Sequence, residues 1–340
     1  MNDHFQSGSP PESDSGLFGM AWDRQDAEVV IIGVPWEPTA SYGRGCSHTP
    51  AAIVPASHQL DLFDLALGAD VGEEVTMLSP REDWLALNRT CSSLADPIIA
   101  AGGAFSEEHR NHQAQINQAG DQLNDQLQEL VASLLAQGKT VGVIGGDHSS
   151  PLGAMKACLS DYPDTGVLHI DAHHDLRDAY LGFTWSHASI MHNLLQQAPS
   201  LASLVSVGIR DFSSGEFETA RDHPKVTTFY GSRLQKQAFT GVTWDSLCRR
   251  MVEPLPGRVY VSFDVDGLEP GFCPNTGTPV PGGLSYAQAV HLLETITASG
   301  RRIVGFDLCE VAPNQLNPKD EWDLNVGARL LHKLCCLSLS

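Results

Sequence analysis

The chain has 340 residues, 42% of them hydrophobic, and a formal net charge of −20. That length supports one large domain or two ordinary ones with an ample core. The excess of acid argues against nucleic acid and anionic membrane surfaces as partners, and no apolar segment is long enough to span a bilayer.

In chain order, residues 1–26 are rich in Ser, Gly, Pro and Asp and read as a flexible arm. They lack the basic start and apolar stretch of a secretory leader, so a cytoplasmic protein is expected. Residues 27–340 show no repeat and no linker, which predicts a single catalytic domain. A first strand is predicted over residues 28–34, then a Gly-rich loop from Ser41 that runs into a helix near Pro50. The spacing of Ile116, Leu123, Leu127, Leu130, Val131, Leu134 and Leu135 predicts an amphipathic helix over 113–137, stopped by Gly138. Further strands are predicted at Thr140–Ile144, Gly166–Ile170, 204–209, Val226–Phe229, 258–261 and 303–308. They alternate with helices near 151–159, 187–196, 285–298 and 325–337. Such alternation predicts an α/β protein: three α/β/α layers around a mainly parallel sheet. The eight cysteines show no metal-type spacing and read as reduced, mostly buried thiols.

Three of the predicted strands lead into acids and imidazoles: Gly145-Gly146-Asp147-His148-Ser149, Asp171-Ala172-His173-His174-Asp175, and Ser262-Phe263-Asp264-Val265-Asp266-Gly267. Parallel sheets place their sites at the carboxyl ends of strands, so these segments are expected to converge. Residues two apart on an extended segment share a face, which would let Asp171, His173 and Asp175 converge and likewise Asp264 and Asp266, with His174 turned away. Like charges buried together repel and are poorly solvated, and divalent cations resolve that conflict. Carboxylate and imidazole donors without thiolate favour Mn²⁺ over a closed structural zinc. Two histidines and four aspartates are too many for one ion with an open position, which points to two ions sharing carboxylates.

The three motifs in this order, together with residues 262–284, resemble the ureohydrolase family of arginases, agmatinases and related amidinohydrolases, from about Val29 to the C-terminus. The resemblance implies an arginase-like fold and a Mn²⁺-dependent hydrolase that releases urea from a small cationic guanidino compound. It also implies a homohexamer or homotrimer, in which the apolar tail near Leu330–Leu337 packs in a core or at an interface. By resemblance His148, Asp171, Asp175 and Asp264 hold one Mn²⁺, and Asp171, His173, Asp264 and Asp266 hold the other. Glu310 matches the carboxylate that pairs with the guanidinium. His187 matches the proton-shuttling histidine, with a pKa range suited to neutral pH, and Asp175 is the transient proton acceptor.

Arginases recognise the α-amino acid head through an Asn and an Asp; Arg177 and Ser213 stand at those positions here. The loop from Asp175 to His187 instead looks like that of agmatinase-like members, so agmatine is the expected substrate class. Arg177 is expected to pair with Asp178 or Asp211. Glu269 departs from the Asp usual before Pro270. Guanidinobutyrate, free guanidine and arginine are the alternative substrates within the family. A metal-binding pseudoenzyme is the alternative from another class.

Overall fold

The structure is a computed structural model and describes residues 14–340. Its strands in chain order are β1 (Val29–Gly33), the small hairpin β2 (Phe63–Asp64) and β3 (Ala69–Asp70), β4 (Val75–Met77), β5 (Thr140–Ile144), β6 (Gly166–Ile170), β7 (Ser203–Val207), β8 (Val226–Phe229), β9 (Arg258–Asp264) and β10 (Arg302–Cys309). The helices are α1 (Thr49–Ser57), α2 (Glu82–Ala101), α3 (Glu107–Leu135), α4 (Leu152–Asp161), α5 (Ile190–Gln197), α6 (Ser214–Asp222), α7 (Gly231–Phe239), α8 (Trp244–Val252), α9 (Tyr286–Ala298) and α10 (Trp322–Ser338).

Eight strands form one sheet in the order β4-β1-β5-β10-β9-β6-β7-β8, and every neighbouring pair is parallel. Both faces are buried, as a parallel sheet requires. Alternate residues of each strand feed opposite cores. Leu168, Ile170, Val259, Val261 and Phe263 pack with α8, α9 and α10, whereas Val141, Val143, Val167 and Tyr260 pack with α2, α3, α4 and α5. Four adjacent central strands, β5, β10, β9 and β6, therefore deliver their following loops to one end of the sheet.

The elements follow the sequence pattern, with instructive exceptions. Helix α3 starts at Glu107, earlier than its apolar stripe, because the Ser106 side chain caps it by accepting the His109 N–H and Glu107 and Glu108 favour the positive end of the helix dipole. Helix α2, not among the predicted elements, tolerates an internal Pro97; Trp84, Cys91, Ala95 and Ile98 give it a buried stripe and Gly102 at φ 73° ends it. Strand β9 runs on to Asp264, past the expected end at 261. The stretch 187–189 is a tight 3₁₀ turn, and α5 starts only at Ile190.

Residues 1–13 of the expected arm lie outside the described residues. From residue 14 onward the chain is not an arm: Leu17, Phe18 and Met20 are buried, and the Phe18 N–H donates to Ser57 Oγ at 2.8 Å. The apolar run Leu17-Phe18-Gly19-Met20 is the reason, since its side chains gain more by joining the core around α1 than by staying in water. The C-terminal tail resolves the same way, with Leu330, Leu331, Leu334, Cys335, Cys336 and Leu337 inside the core of this chain. All eight cysteines are free and buried. Among the described residues no helix is long and apolar enough to cross a membrane.

Candidate metal centre and substrate cavity

The strand ends bring His148, Asp171, His173, Asp175, Asp264 and Asp266 together, and only His173 is appreciably exposed, with 25% of its side chain accessible. His148 Nδ1 lies 3.0 Å from Asp171 Oδ2, 3.0 Å from Asp175 Oδ2 and 3.5 Å from Asp264 Oδ2. His173 Nδ1 lies 2.9 Å from Asp266 Oδ2 and 3.5 Å from Asp171 Oδ1. Asp171 thus turns one oxygen to each histidine. The ligand-type atoms form two overlapping sets, His148, His169, Asp171 and Asp175, and Asp171, His173 and Asp266. Asp264 stands beside both: its Oδ1 accepts the Asp266 N–H at 2.8 Å.

The convergence is real, but its backbone is not the extended alternation expected. Strand β6 stops at Ile170, and Asp175 reaches the cluster through a left-handed turn, φ 54°. Asp266 sits on a 3₁₀ turn, Val265–Gly267, capped by the Asp264 side chain. Glu310 is also left-handed, φ 62°. Left-handed backbone costs a residue with a Cβ about 1–3 kcal/mol, and such strain concentrates where side-chain placement matters more than local comfort.

Behind the cluster, hydrogen bonds fix each ring. His148 Nε2 contacts Ser262 Oγ at 2.8 Å, and that hydroxyl donates to Asp307 Oδ1 at 3.0 Å, a chain that leaves Nδ1 to face the carboxylates. His169, absent from the sequence reading, contacts Asp171 Oδ2 through Nε2 at 2.8 Å and Ser206 Oγ through Nδ1 at 3.1 Å. A histidine in an otherwise apolar strand, two residues before Asp171, was the available signal. His174 does turn away, into an aromatic nest with Phe212 and Tyr230 at 5.2 and 5.8 Å, and neither ring nitrogen has a hydrogen-bond partner among the described residues.

The electrostatics show what the cluster demands. Burial, then Asp171, raises Asp175 to about 7, and burial with Asp266 and Asp171 raises Asp264 well above the usual carboxylate range. Burial alone would lower both ligand histidines. Asp171 and Asp175 nonetheless hold His148 well above its ordinary value, and Asp266 and Asp171 push His173 up to about 12. Asp171 stays well below the usual range despite burial, because His169, His148 and His173 surround it. Two imidazoles are thus made to carry positive charge at two neighbouring points. Two divalent cations fit that demand and the oxygen and nitrogen donor set.

A cavity of about 310 Å³ opens beside the cluster, lined by His173, Asp175, His187, Arg177, Tyr180, Asp211, Phe212, Ser213, Glu216, Thr278 and Ser41 of the Gly-rich loop. His187 Nδ1 has no partner among the described residues, and burial followed by His173 and His148 pushes it down to about 4, so it is neutral at pH 7 rather than poised near neutrality. Glu310 is only 6% exposed; its Oε1 accepts the His148 N–H at 3.2 Å. Burial, with Asp147 and Asp266, lifts its carboxyl well above the usual range, so it too calls for a cation. The backbone crowds in beside it: a Cβ placed on Gly277 would stand 3.2 Å from Glu310 Oε2, and the Gly43 N–H donates to Gly277 O at 3.2 Å.

At the rim, Ser213 is the cap of α6 in a capping box with Glu216, donating Oγ–H to Glu216 Oε2 at 2.7 Å. Arg177 pairs with neither Asp178 nor Asp211 as expected; its Nη2 lies 3.5 Å from Glu216 Oε2 and its guanidinium 5.2 Å over the Tyr180 ring. Asp178 faces His192 instead, at 3.2 Å. Glu269 Oε2 accepts the N–H groups of Gly282 and Gly283, both at 2.9 Å, and so braces the loop before α9 without touching the cluster.

The sequence from residue 27 to residue 336 matches the arginase family. The chain belongs to that family. It is 33% identical over 290 residues to the N(1)-aminopropylagmatine ureohydrolase of Thermus thermophilus, covering 85% of this chain and 84% of that one. It is 30% identical over 292 residues to the agmatinase of Bacillus anthracis, covering 85% of each. The fold is shared with the proclavaminate amidinohydrolase structure from Streptomyces clavuligerus, TM-score 0.74 at 21% identity, covering 97% of this chain and 98% of the other. This arginase-family chain is accordingly a ureohydrolase, and the buried His/Asp cluster at its strand ends is the place for its metal.

Proposed function

We propose that the enzyme hydrolyses a guanidine without an α-amino acid head, agmatine or an N-substituted agmatine, to urea and an amine, with two Mn²⁺ per chain. The observation that carries this reading is the rim of the cavity. Ser213 spends its hydroxyl on Glu216, and Arg177 brings a guanidinium, which has no acceptor, so neither takes up the α-ammonium of an amino acid head. The names of two similar proteins, an aminopropylagmatine ureohydrolase and an agmatinase, agree with it.

His148, Asp171, Asp175 and Asp264 would hold one ion, and Asp171, His173, Asp264 and Asp266 the other. Bound there, the pair supplies positive charge and an acidified water for attack on the guanidinium carbon. Glu310 pairs with the planar guanidinium, a bidentate contact that fixes the orientation of its carbon. Asp175, with a carboxyl that burial raises, takes the proton lost by the attacking water. His187, neutral at pH 7, relays a proton to the amine nitrogen as its bond to the central carbon breaks. Urea and the free amine leave.

Arg177 favours one second reading. Its side chain is 40% exposed at the mouth and could meet the carboxylate of a guanidino acid such as guanidinobutyrate. We also infer a cytoplasmic homohexamer, or failing that a homotrimer. Exposed Tyr42, Phe63, Leu65, Phe105 and Phe239 supply apolar contact surface, whereas the C-terminal tail does not. Light scattering that returns a monomer mass removes the assembly. A urea-release screen of Mn²⁺-loaded protein over agmatine, aminopropylagmatine, guanidinobutyrate, guanidine and L-arginine tests the substrate. Faster hydrolysis of L-arginine than of every other compound overturns the reading.

A further inference from the structure

Arg210 follows the end of β7, and among the described residues its side chain donates only to backbone carbonyls. Nε reaches Val280 O at 3.1 Å and Pro281 O at 3.2 Å, and Nη1 reaches Gly208 O at 3.1 Å and Gly267 O at 3.5 Å. Nη2 reaches Asp266 O at 2.5 Å, Val280 O at 2.7 Å and Leu268 O at 3.1 Å. Its own backbone N–H donates to Ala172 O at 2.8 Å. One residue therefore ties the loop between Asp171 and His173 by its main chain and the turn bearing Asp266 by its side chain. It also ties Val280 and Pro281, just beyond Thr278, whose hydroxyl donates to Asp266 Oδ2 at 3.4 Å.

A planar fork spreads five fixed N–H groups over three nitrogens and so reaches carbonyls of three loops; an ammonium has three N–H groups on a single nitrogen and cannot cover the same span. The other half of the centre has its own brace in the chain from His148 through Ser262 to Asp307, and Arg210 donates to none of these. The clamp is therefore one-sided. We propose that Arg210 is a positioning residue for the His173 and Asp266 half of the metal centre: by fixing the gap between the loop of His173 and the turn of Asp266, it sets the affinity for the second cation.

The inference rests on the two-ion reading above, and the test separates the two. Full-length protein, stripped with chelator, is titrated with Mn²⁺ by calorimetry and by electron paramagnetic resonance, as wild type, Arg210→Lys, Arg210→Met and, as a control on exposed α6, Arg221→Met. Wild type and control are expected to bind two ions and show the signal of a spin-coupled pair. The Arg210 variants are expected to keep one ion at wild-type affinity and bind the other about 10- to 100-fold more weakly, with the coupled signal lost at matched loading and restored by excess Mn²⁺. Retention of the charge in Arg210→Lys without retention of the second ion identifies the fork as the cause. Should Arg210→Met fail to fold, Arg210→Lys decides. Two ions bound at wild-type affinity in the variants, or both weakened equally, overturn the inference. Fewer than two ions in the wild type overturn the two-ion reading itself, and the inference with it.

Discussion

The floor and the rim of the cavity are built on opposite principles. At the floor, Asp171, Asp175, Asp264, Asp266 and His148 are nearly inaccessible, and Asp175 and Glu310 accept left-handed backbone to reach their places. At the rim, Arg177 is 40% exposed, and its one ion pair among the described residues reaches a carboxylate that is capping a helix. Buried, hydrogen-bonded donors leave one arrangement and so dictate a chemistry, while half-exposed loop residues leave several and so dictate only a preference. Substitutions at the floor should therefore act on every substrate alike, and substitutions at the rim should act on one substrate against another.

The largest effect is expected from Asp171→Ala or Asp264→Ala. Each removes a carboxylate assigned to both ions, and the several kcal/mol that such ions contribute correspond to a loss of about 10³-fold or more in kcat/KM. Urea release and elemental analysis on the same sample check it, with metal content falling together with activity. A variant at full activity would break the assignment of the floor.

Next in size is Glu310→Gln. Loss of a charge-assisted contact costs about 1.5–3 kcal/mol, or roughly 10- to 100-fold, and the loss should be of similar size for agmatine, guanidinobutyrate and guanidine because all share the planar head. A loss confined to one of them would move Glu310 from the floor to the rim.

The floor also predicts a pH signature without metal. His173 is raised to about 12 in the fold, so its stabilising effect is complete below about pH 6.5, its unfolded value, and fades as pH rises toward 12. Asp175, raised to about 7, is favourable while protonated; its contribution is present below about pH 4 and is lost as pH rises through 7. Asp264 and Glu310 shift in the same direction; Asp171 opposes them at acid pH, and the lowered histidines His169, His174 and His187 oppose them only up to about pH 6.5, the unfolded value of a histidine. Chelated protein should therefore lose melting temperature from about pH 5 to about pH 9, while loaded protein should not, since metal competes better as protons leave. Thermal unfolding with and without EDTA reads the widening gap. A constant gap would mean that the cluster is not frustrated without its ions.

The same contrast explains what the sequence disclosed. The floor was legible because His148, Asp171, His173, Asp175, Asp264 and Asp266 follow apolar strands, and the strands of a parallel sheet deliver such residues to one end. The manner of convergence was not legible, because left-handed Asp175 and the 3₁₀ turn at Asp266 are tertiary solutions that period-two reasoning does not contain. Helix α2 was not among the predicted elements, although Trp84, Cys91, Ala95 and Ile98 recur at helical spacing up to and across Pro97. Arg210 was invisible for a different reason: its partners are carbonyls, and every residue has one. The partner of Arg177 was misplaced because Glu216 lies far along the chain and joins it only through the capping of α6.

The smallest and most selective effect belongs to Arg177→Ala. A half-exposed ion pair at 3.5 Å contributes little, so stability should change by less than about 1 kcal/mol. The guanidinium nonetheless stands at the mouth of the cavity, where it would repel the distal ammonium of agmatine and attract the carboxylate of guanidinobutyrate. At intermediate dielectric that difference is of the order of 1–2 kcal/mol, enough to raise the ratio of kcat/KM for agmatine over guanidinobutyrate about tenfold. Parallel urea-release assays on the two substrates, with a thermal melt of each variant, check the prediction. A uniform fall for both substrates would place Arg177 among the residues that hold the floor, and the division between dictated chemistry and adjustable preference would have to be drawn further out.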